Sequence, residues 1–315
     1  MALREYIYEA WHINGKQSKA ISDLDELNLP NTWLHCNRTD DNFHQWLVQE
    51  NIDESIIESL LASDTRPRFQ RLEGDAFLLI VRGVNLNKGK QPDDMLTVRM
   101  LYTGDRLITC NSQTSRAIEA TSASLARGKG PCDLPQLVIE LLTQLHLRID
   151  SFLDPIEEFI DAQDKDKFDP ADALELNDML RKLLKLNRFL KPQAHALNAV
   201  VRANMPIFES LSLALANQQD VLSRIVESID FYIAQVDVIN AKIAQQNAEL
   251  MNRNTYILSI IAGIFLPLGF LTGLFGINIG GMPGVENEQS FYLFCGILLV
   301  IGVLEYLVFR RLKFL

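Results

Sequence analysis

Two apolar stretches near the end of the chain restrict its fold more than any other feature. The first covers about residues 256–276 and the second about residues 290–309. Each is about 20 residues long, which at ~1.5 Å rise per helical residue spans a hydrocarbon core about 30 Å thick. A core helix of a soluble protein imitates one such stretch, but two in succession favour a membrane anchor. The sequence therefore predicts a large polar domain followed by two transmembrane helices.

The charges that flank these spans predict their orientation. Basic residues stand before the first span and after the second: Arg253, Arg310, Arg311 and Lys313. The connector between the spans carries Glu286 and Glu288 and has no Lys or Arg. The positive-inside rule then places both termini and the polar domain in the cytoplasm. Residues 1–5 lead into no apolar segment, so we expect no cleaved signal peptide.

Composition excludes some classes of function. The formal net charge of −10 argues against a nucleic-acid partner, because nucleic-acid-binding surfaces are normally basic. An acidic field next to a membrane would concentrate cations instead, although many soluble domains are acidic for solubility alone. The four cysteines are far apart, as expected in a reduced compartment, and they offer no zinc-site spacing. No phosphate-binding glycine loop, GxSxG or HExxH motif is present, so an enzyme has little support.

The first part of the chain has the pattern of a mixed α/β domain. β-branched and aromatic segments predict strands at 4–11, 76–84, 95–102 and 106–110, and helical patterns cover 41–49, 53–61 and 113–126. His35, Cys36 and His44 come nearest to a metal-binding group, but their spacing does not suit a closed zinc site. We therefore expect these three side chains to be structural.

From residue 133 onward the pattern is helical. Helices are predicted at about 133–163 and 171–201, as an antiparallel hairpin, and Pro192 should kink or break the second. The hairpin tip has four aspartates, which fit a solvated turn better than a divalent-cation sensor: Asp161, Asp164, Asp166 and Asp169. After Pro206 neither proline nor glycine occurs until Gly263, which predicts one helix of about 70 residues and about 100 Å.

One narrow face of this long helix consists of small or polar residues. Its members follow two heptad series: Asn252, Ser259, Leu266 and Gly273, and Thr255, Ala262, Gly269 and Gly276. Close helix packing and a pore lining explain this periodicity equally well. Asn278 favours the pore, because a carboxamide just past an apolar span needs water or a buried partner.

Two helices per chain are too few to enclose a polar path. A symmetric oligomer would enclose one if each chain contributed its first span to a central axis. A ring of Asn278 carboxamides would then present neutral oxygen atoms to the waters of a hydrated cation, and would bind it weakly enough to release it. Glu286 and Glu288 would ring the outer mouth and raise the local cation concentration, unless they are ordinary solubilising loop charges.

The residues of this region match a known family. The segment Asn252-Arg253-Asn254-Thr255-Tyr256 and the run from Ile264 through Gly276-Ile277-Asn278 resemble the pore helix and signature of the CorA metal-ion transporter superfamily. Within it, the chain is most similar to the ZntB zinc-transporter branch. Ile277 replaces the Met of Gly-Met-Asn, and Met282-Pro283 is not followed by the usual Glu, which favours zinc over Mg²⁺.

The resemblance implies a funnel-shaped homopentamer in the bacterial inner membrane. It implies a central pore lined by the long helix, the signature Asn278 at the periplasmic mouth, and import of Zn²⁺ coupled to protons, with Cd²⁺, Ni²⁺ or Co²⁺ as further cargo. No resident cofactor is expected, since the metal is cargo. A CorA-type Mg²⁺ or Co²⁺ channel remains the alternative within the class. A cytoplasmic sensor or assembly platform that is only tethered to the membrane is the alternative from another class.

The predicted fold class is an α+β cytoplasmic domain followed by a helical hairpin, a stalk and pore helix, and a second transmembrane helix. We predict seven segments: a cytoplasmic α/β domain at 1–130, the hairpin at 131–205, the cytoplasmic stalk at 206–255, a pore-lining span at 256–276, a periplasmic loop with the Gly-Ile-Asn motif at 277–289, a second span at 290–309 and a basic tail at 310–315. Glu305 lies inside the second span, and its proximity to Arg310 favours an interfacial position over a proton relay.

Overall fold

The protein is described by a computed structural model over residues 4–163, 170–277, 284 and 287–311. Its contacts divide the chain into two compact units, 1–240 and 241–315. The first unit holds a sheet and most of the helices. The second holds the apolar part of the longest helix and the helix that follows it.

A seven-stranded mixed sheet forms the centre of the first unit. Its strands are β1 Ile7–His12, β2 Lys19–Ala20, β3 Thr32–Asn37, β4 Arg68–Arg71, β5 Phe77–Gly83, β6 Leu96–Tyr102 and β7 Arg106–Asn111. They lie in the order β2-β1-β3-β7-β6-β5-β4. Among these described strands β3 and β7 pair in parallel, and the other neighbours in the sheet are antiparallel.

Seven α-helices accompany the sheet within the described residues. They are α1 Asp41–Gln49, α2 Glu54–Leu61, α3 Arg116–Ala126, α4 Leu134–Asp161, α5 Pro170–Arg202, α6 Ser212–Phe275 and α7 Ser290–Arg311. Aspartate side chains cap α1, α2 and α4 by accepting from backbone amides of the first turn, as Asp133 does from Gln136 at 2.7 Å. The chain enters α6 through a 3-10 helix at Pro206–Leu211.

The predicted fold class is confirmed: a mixed sheet with helices, then a helical hairpin, a long helix and a second apolar helix. The four strands and three short helices predicted for the first domain are all present within a few residues. The sequence missed β2, β3 and β4. β2 is only two residues long, β4 is a polar edge strand of sequence RFQR, and β3 is buried throughout its first five residues. Since both faces of β3 are covered, it has no polar alternation to reveal it.

α5 continues through Pro192 without a break, so of the two expected effects, a kink or a break, the break is excluded and the kink stays a prediction. Gln193, the next residue, is fully buried, and its Oε1 accepts a hydrogen bond from the backbone N–H of Arg82 at 2.6 Å. β4 begins at Arg68, which pairs with Ile80, so the amide of Arg82 lies beyond the last β4–β5 pair. The helix therefore satisfies a donor that the edge strand does not reach.

Three arginines bind the backbone at the C-terminal end of α2 and just after it. Arg38 donates to the carbonyl of Leu61 (2.6 Å) and Arg99 to that of Ala62 (2.6 Å), while Arg82 donates to Thr65 in the following loop (2.7 Å). Positive charge at this position complements the helix dipole. Burial nevertheless disfavours the charged form, and it lowers the pKa of Arg99 to about 10.

Two buried histidines connect elements of the first unit. Nδ1 of His35 on β3 lies 2.9 Å from the Thr109 hydroxyl of β7, and Nδ1 of His146 on α4 lies 2.9 Å from Oε1 of Gln218 on α6. Because an amide oxygen only accepts, His146 must donate through Nδ1. Burial lowers the pKa of both histidines to about 4, since it penalises the charged imidazolium.

These depressed pKa values predict a pH window of instability. Between about pH 6.5 and pH 4 the unfolded chain binds more protons than the folded one, so the free energy of unfolding falls as pH drops through that window. Each histidine contributes about 3 kcal/mol of this loss when the window is crossed fully. Replacing His146 by Asn keeps a donor for Gln218 and should reduce the slope of stability against pH by about half.

Tryptophan fluorescence provides the measurement, because Trp11, Trp33 and Trp46 all lie in the first unit. Denaturant unfolding of the full-length protein in detergent would be compared at neutral pH and at about pH 5. His44→Asn, at an exposed position of α1, is the matched control and should leave the slope unchanged. A slope that is identical in His146→Asn and in the parent would contradict the neutral, buried state of His146.

Candidate functional site

Within the second unit, α6 and α7 pack along one stripe of each helix. From residue 250 onward, the half-buried residues of α6 are Ile260, Gly263, Ile264, Pro267, Leu268 and Leu271. Those of α7 past its first residue are Phe294, Leu298, Ile301, Gly302, Glu305 and Phe309. A Cβ atom added at Gly263 would lie 2.6 Å from the Phe309 ring, and the rings of Phe275 and Phe294 are 5.0 Å apart. These two contacts fix the register of an antiparallel pair.

The small-residue face of α6 lies elsewhere on the helix. It comprises the two heptad series, all of them exposed: Asn252, Thr255, Ser259, Ala262, Leu266, Gly269, Gly273 and Gly276. At 3.6 residues per turn this face is roughly opposite the stripe that packs on α7. A side chain added at Gly269 or Gly273 would meet nothing within 4 Å. The face therefore has no packing partner within the described part of the chain.

Two hydroxyl groups on α6 donate hydrogen bonds to backbone carbonyls of the same helix. Ser259, on the small-residue face, donates to the carbonyl of Thr255 at 2.8 Å. Thr272 donates to the carbonyls of Leu268 and Gly269 at 3.0 and 3.1 Å. With its proton used in this way, the oxygen of Ser259 offers lone pairs outward. Such neutral acceptors suit the waters of a hydrated cation.

The far end of the face is only partly described. α6 ends at Phe275, and the N–H of Gly276 still donates to the carbonyl of Thr272 at 2.9 Å. Ile277 is exposed, whereas the predicted selectivity residue Asn278 and the acidic Glu286 lie outside the described residues. Glu288 is exposed in the turn that leads into α7. The structure therefore describes the small-residue face as far as Gly276, and both its role as a path and the position of the outer ring stay predictions.

The other residues considered from the sequence lie apart from each other. His35 bonds to Thr109, Cys36 is fully buried opposite Cys110 of β7, and His44 faces Glu54 at 3.9 Å. Across residues 4–163, 170–277, 284 and 287–311, no three His, Cys, Asp or Glu side chains meet as a metal site would require. Asp161 ends α4, and the rest of the predicted acidic tip, Asp164, Asp166 and Asp169, lies outside these ranges.

Glu305, for which the sequence predicts an interfacial position, also takes part in the packing of the two helices. Its side chain belongs to the stripe of α7 that packs on α6, and its Oε2 atom is buried with no hydrogen-bond partner among the described residues. No ion pair joins it to Arg310 in that part of the chain. The sequence did contain a signal for this packing: Glu305 lies four residues before Phe309, so the two residues share one face of the helix.

Both helices of the second unit satisfy the length and composition of a membrane span. A helix that ends at Phe275 and the helix Ser290–Arg311 are both long and apolar enough to cross a membrane. The most apolar window of each is not buried. An apolar helix with no buried residue differs from the core helix of a soluble domain. Length, composition and exposure together agree with the predicted membrane location.

Comparison with known proteins gives consistent results. The family model described as CorA-like Mg²⁺ transporter protein matches residues 30–311. Zinc transport protein ZntB of Vibrio parahaemolyticus is 36% identical over 98% of this chain and 97% of its own length. The divalent cation transporter CmaX of Pseudomonas aeruginosa is 31% identical over 94% of this chain and 91% of its own length.

Solved structures show the same architecture. The full-length CmaX structure superposes with a TM-score of 0.85 at 29% identity and covers 99% of both chains. The cytoplasmic domain of ZntB from Vibrio parahaemolyticus covers 79% of this chain and 100% of its own, with a TM-score of 0.74 at 29% identity. The CorA magnesium transporter of Methanocaldococcus jannaschii, at 17% identity and a TM-score of 0.80, shares the fold. By sequence over nearly its whole length and by structure, the chain belongs to the CorA-like family of cation transporters.

Proposed function

We propose that the protein is a zinc-type divalent-cation transporter that acts as a homopentamer. Five copies of the small-residue face of α6 would line a central path, and five Asn278 carboxamides would form its outer ring. The observation that carries the proposal is the exposure of this face, roughly opposite α7 and without a partner within the described part of its own chain. A symmetric assembly is the arrangement that turns one such face per chain into an enclosed path.

The chemistry of the face suits a cation that keeps its water. Gly269 and Gly273 leave room along the helix, and Ser259 offers a neutral oxygen acceptor. Backbone and hydroxyl oxygens bind hard cations more weakly than carboxylates do, so an ion that enters such a path is released again. The expected cargo is Zn²⁺, with Cd²⁺, Ni²⁺ and Co²⁺ as further cargo.

Zinc is favoured over magnesium by two features. The relative that is 36% identical over nearly the full chain is named a zinc transport protein. Ile277 stands where Mg²⁺ channels of this superfamily have Met, and Gly284 follows Met282-Pro283 in place of the usual Glu. We propose import coupled to protons, across the inner membrane, with both termini in the cytoplasm. A Mg²⁺ or Co²⁺ channel is the second candidate, supported by the family model and by the fold of the archaeal CorA.

A membrane-tethered sensor would need only an apolar surface around both helices. Lipid-facing helices are covered with Leu, Ile, Val and Phe, as the exposed side of α7 is. The Thr, Ser and Gly residues at heptad steps on α6 do not fit that purpose. Close packing between copies of this face would also exclude lipid, so ion flux has to be measured directly.

Uptake into proteoliposomes tests the proposed function. Purified protein would be reconstituted with a zinc-sensitive dye inside, and uptake would be followed with and without excess external Mg²⁺ at two external pH values. Zinc entry that is faster under an inward proton gradient and resists Mg²⁺ is the expected result. Entry that Mg²⁺ abolishes would favour the channel alternative, and no entry of either metal would favour the tether.

Bulk on the small-residue face should close the path. Gly269→Leu or Gly273→Leu places five large side chains around the axis, so zinc uptake should fall to the level of liposomes without protein. Gly296→Leu is the matched control, because Gly296 is also an exposed helical glycine with open space around it, but on α7. Equal loss of uptake in all three correctly assembled variants would show that the path has been assigned to the wrong face.

Asn278 is predicted to be required for flux and dispensable for assembly. Removing its carboxamide in Asn278→Ala would take away the oxygen ring that meets the hydrated ion. Uptake should fall to background while the oligomer keeps its elution volume in size-exclusion chromatography. Full uptake by an intact Asn278→Ala oligomer would exclude this residue from the mechanism.

The acidic connector should act by attraction at a distance. Changing Glu286 and Glu288 together to Gln should reduce uptake most at low metal concentration and low ionic strength, because a surface potential is screened over about 10 Å at 0.1 M salt. Saturated uptake should change little. A loss that persists in high salt would indicate a tight binding site, and no change under any condition would reduce both residues to solubilising loop charges.

A further inference from the structure

A groove in the first unit lies between one edge of the sheet and α3. Residues of β1 and β2 line one side of it and residues of α3 line the other, and its volume is about 380 Å³. Sites for small molecules have volumes from about 300 Å³ upward. Three alanines line the groove, Ala20 on β2 and Ala123 and Ala126 on α3. Their small side chains leave this space open.

A bulge in β1 brings two consecutive side chains to the same face of the sheet. β1 advances two residues, from Ile7 to Glu9, while its partner β3 advances one, so Tyr8 is an extra residue. Glu9 pairs with His35 of β3, and the ring of Tyr8 contacts the same histidine, with ring centroids 5.6 Å apart. In a regular strand, successive side chains would point to opposite faces. The bulge therefore places a carboxylate and an aromatic ring side by side.

Trp11 adds a second aromatic ring. It is two residues beyond Glu9, so the two side chains share one face of β1. The neighbour of Trp11 on β2 is Ala20, which is too small to cover an indole ring. Tyr8, Glu9 and Trp11 all line the groove. The groove thus contains a carboxylate between two aromatic side chains of one strand.

The carboxylate of Glu9 is held in position but not neutralised. Its Oε2 accepts hydrogen bonds from the hydroxyl of Ser122 on α3 and from Nε1 of Trp11, the latter at 3.5 Å. Among the described residues, Oε1 accepts no hydrogen bond and no Lys or Arg forms an ion pair with Glu9. Glu9 is half-buried and is the only charged residue that lines the groove. A carboxylate in such a place favours a ligand that brings a positive charge.

The same features exclude other classes of ligand. A metal ion would need more donors, and no three His, Cys, Asp or Glu side chains meet as a metal site would require in the part of the chain that the structure describes. An anion would be repelled by Glu9, and a purely apolar molecule would remove water from the carboxylate without replacing its hydrogen bonds. An ammonium group on an apolar body fits, because the carboxylate pairs with the charge and aromatic faces attract it.

We propose that the groove between β1 and α3 binds a small organic ammonium ion. Glu9 is its counter-ion, with Oε1 as the acceptor, and Tyr8 and Trp11 pack against the apolar body of the ligand. The site belongs to the first unit alone. Neither its occupancy nor its test depends on the path that we assign to α6.

Isothermal titration calorimetry with a charged and a neutral probe of the same shape tests this proposal. Phenylethylammonium and 2-phenylethanol would each be titrated into the full-length protein in detergent, and the same titrations into detergent alone would be subtracted. The ammonium should bind at least about tenfold more tightly than the alcohol, since a hydrogen bond between charged groups contributes about 1.5–3 kcal/mol. Absence of ammonium binding, or equal affinity for the two probes, would overturn the proposal.

Two variants test the location of the site. Glu9→Gln keeps the size of the side chain and an acceptor for Ser122, and it should weaken ammonium binding about tenfold or more while leaving the alcohol unaffected. Glu58→Gln, at an exposed position of α2, is the matched control and should bind like the parent.

Ala123→Leu fills the groove from an exposed position of a helix, where leucine is well tolerated, and should abolish binding of the ammonium. The unfolding midpoint of each variant would show that it is folded. If Glu9→Gln fails to fold, Ala123→Leu decides. Ammonium binding of parental strength in either folded variant would overturn the assignment to this groove.

Discussion

The packing of α6 against α7 along a single stripe determines what the second unit can do. Helices suit a membrane because nearly all of their backbone groups bond within the helix. Only one side of α6, however, is covered by the described part of its own chain. The uncovered side includes Gly269, Gly273 and Ser259, which are poor residues for contact with lipid. Packing of this face against other copies of the chain would therefore contribute free energy that a single chain does not gain.

The same helix connects two different environments. In the first unit α6 buries Leu222, Ile225, Ile229 and Val236, and Gln218 bonds to the buried His146 of α4. In the second unit its most apolar window has no buried residue. One uninterrupted element, Ser212–Phe275, therefore belongs both to the polar domain and to the membrane segment. The two units therefore share one helix.

Much of this architecture could be predicted from residue patterns. Heptad spacing identified α6 and its small-residue face, and polar turns separated the helices of the hairpin, because these signals depend on near neighbours in sequence. β3 could not be predicted in this way, since it is covered on both faces by elements far away along the chain. The absence of a break at Pro192 has a related reason: the helix that contains it is held to β5 by the adjacent Gln193.

In the candidate site, too, patterns among near neighbours in sequence could be predicted, and contacts between helices could not. The periodicity of Thr255, Ser259, Ala262 and Gly269 was visible in the sequence, whereas the side of α6 that meets α7 was not. Glu305 illustrates this limit most clearly. Its proximity to Arg310 in sequence favoured an interfacial position, which stays a prediction, whereas its place in the stripe that packs on α6 is known only from the structure.

The most direct test of an aqueous path along α6 is the reactivity of cysteines placed on it. In a background where the exposed Cys132 and Cys295 are replaced by Ser, Ser259→Cys and Ala262→Cys would each be treated with a membrane-impermeant, charged thiol reagent. Ile261→Cys, exposed on another side of the same turn, is the control. We predict that the cysteines at 259 and 262 react, that Zn²⁺ slows their reaction, and that the cysteine at 261 stays unmodified. Inert cysteines at 259 and 262, or equal reactivity at all three positions, would contradict a water-filled path on this face.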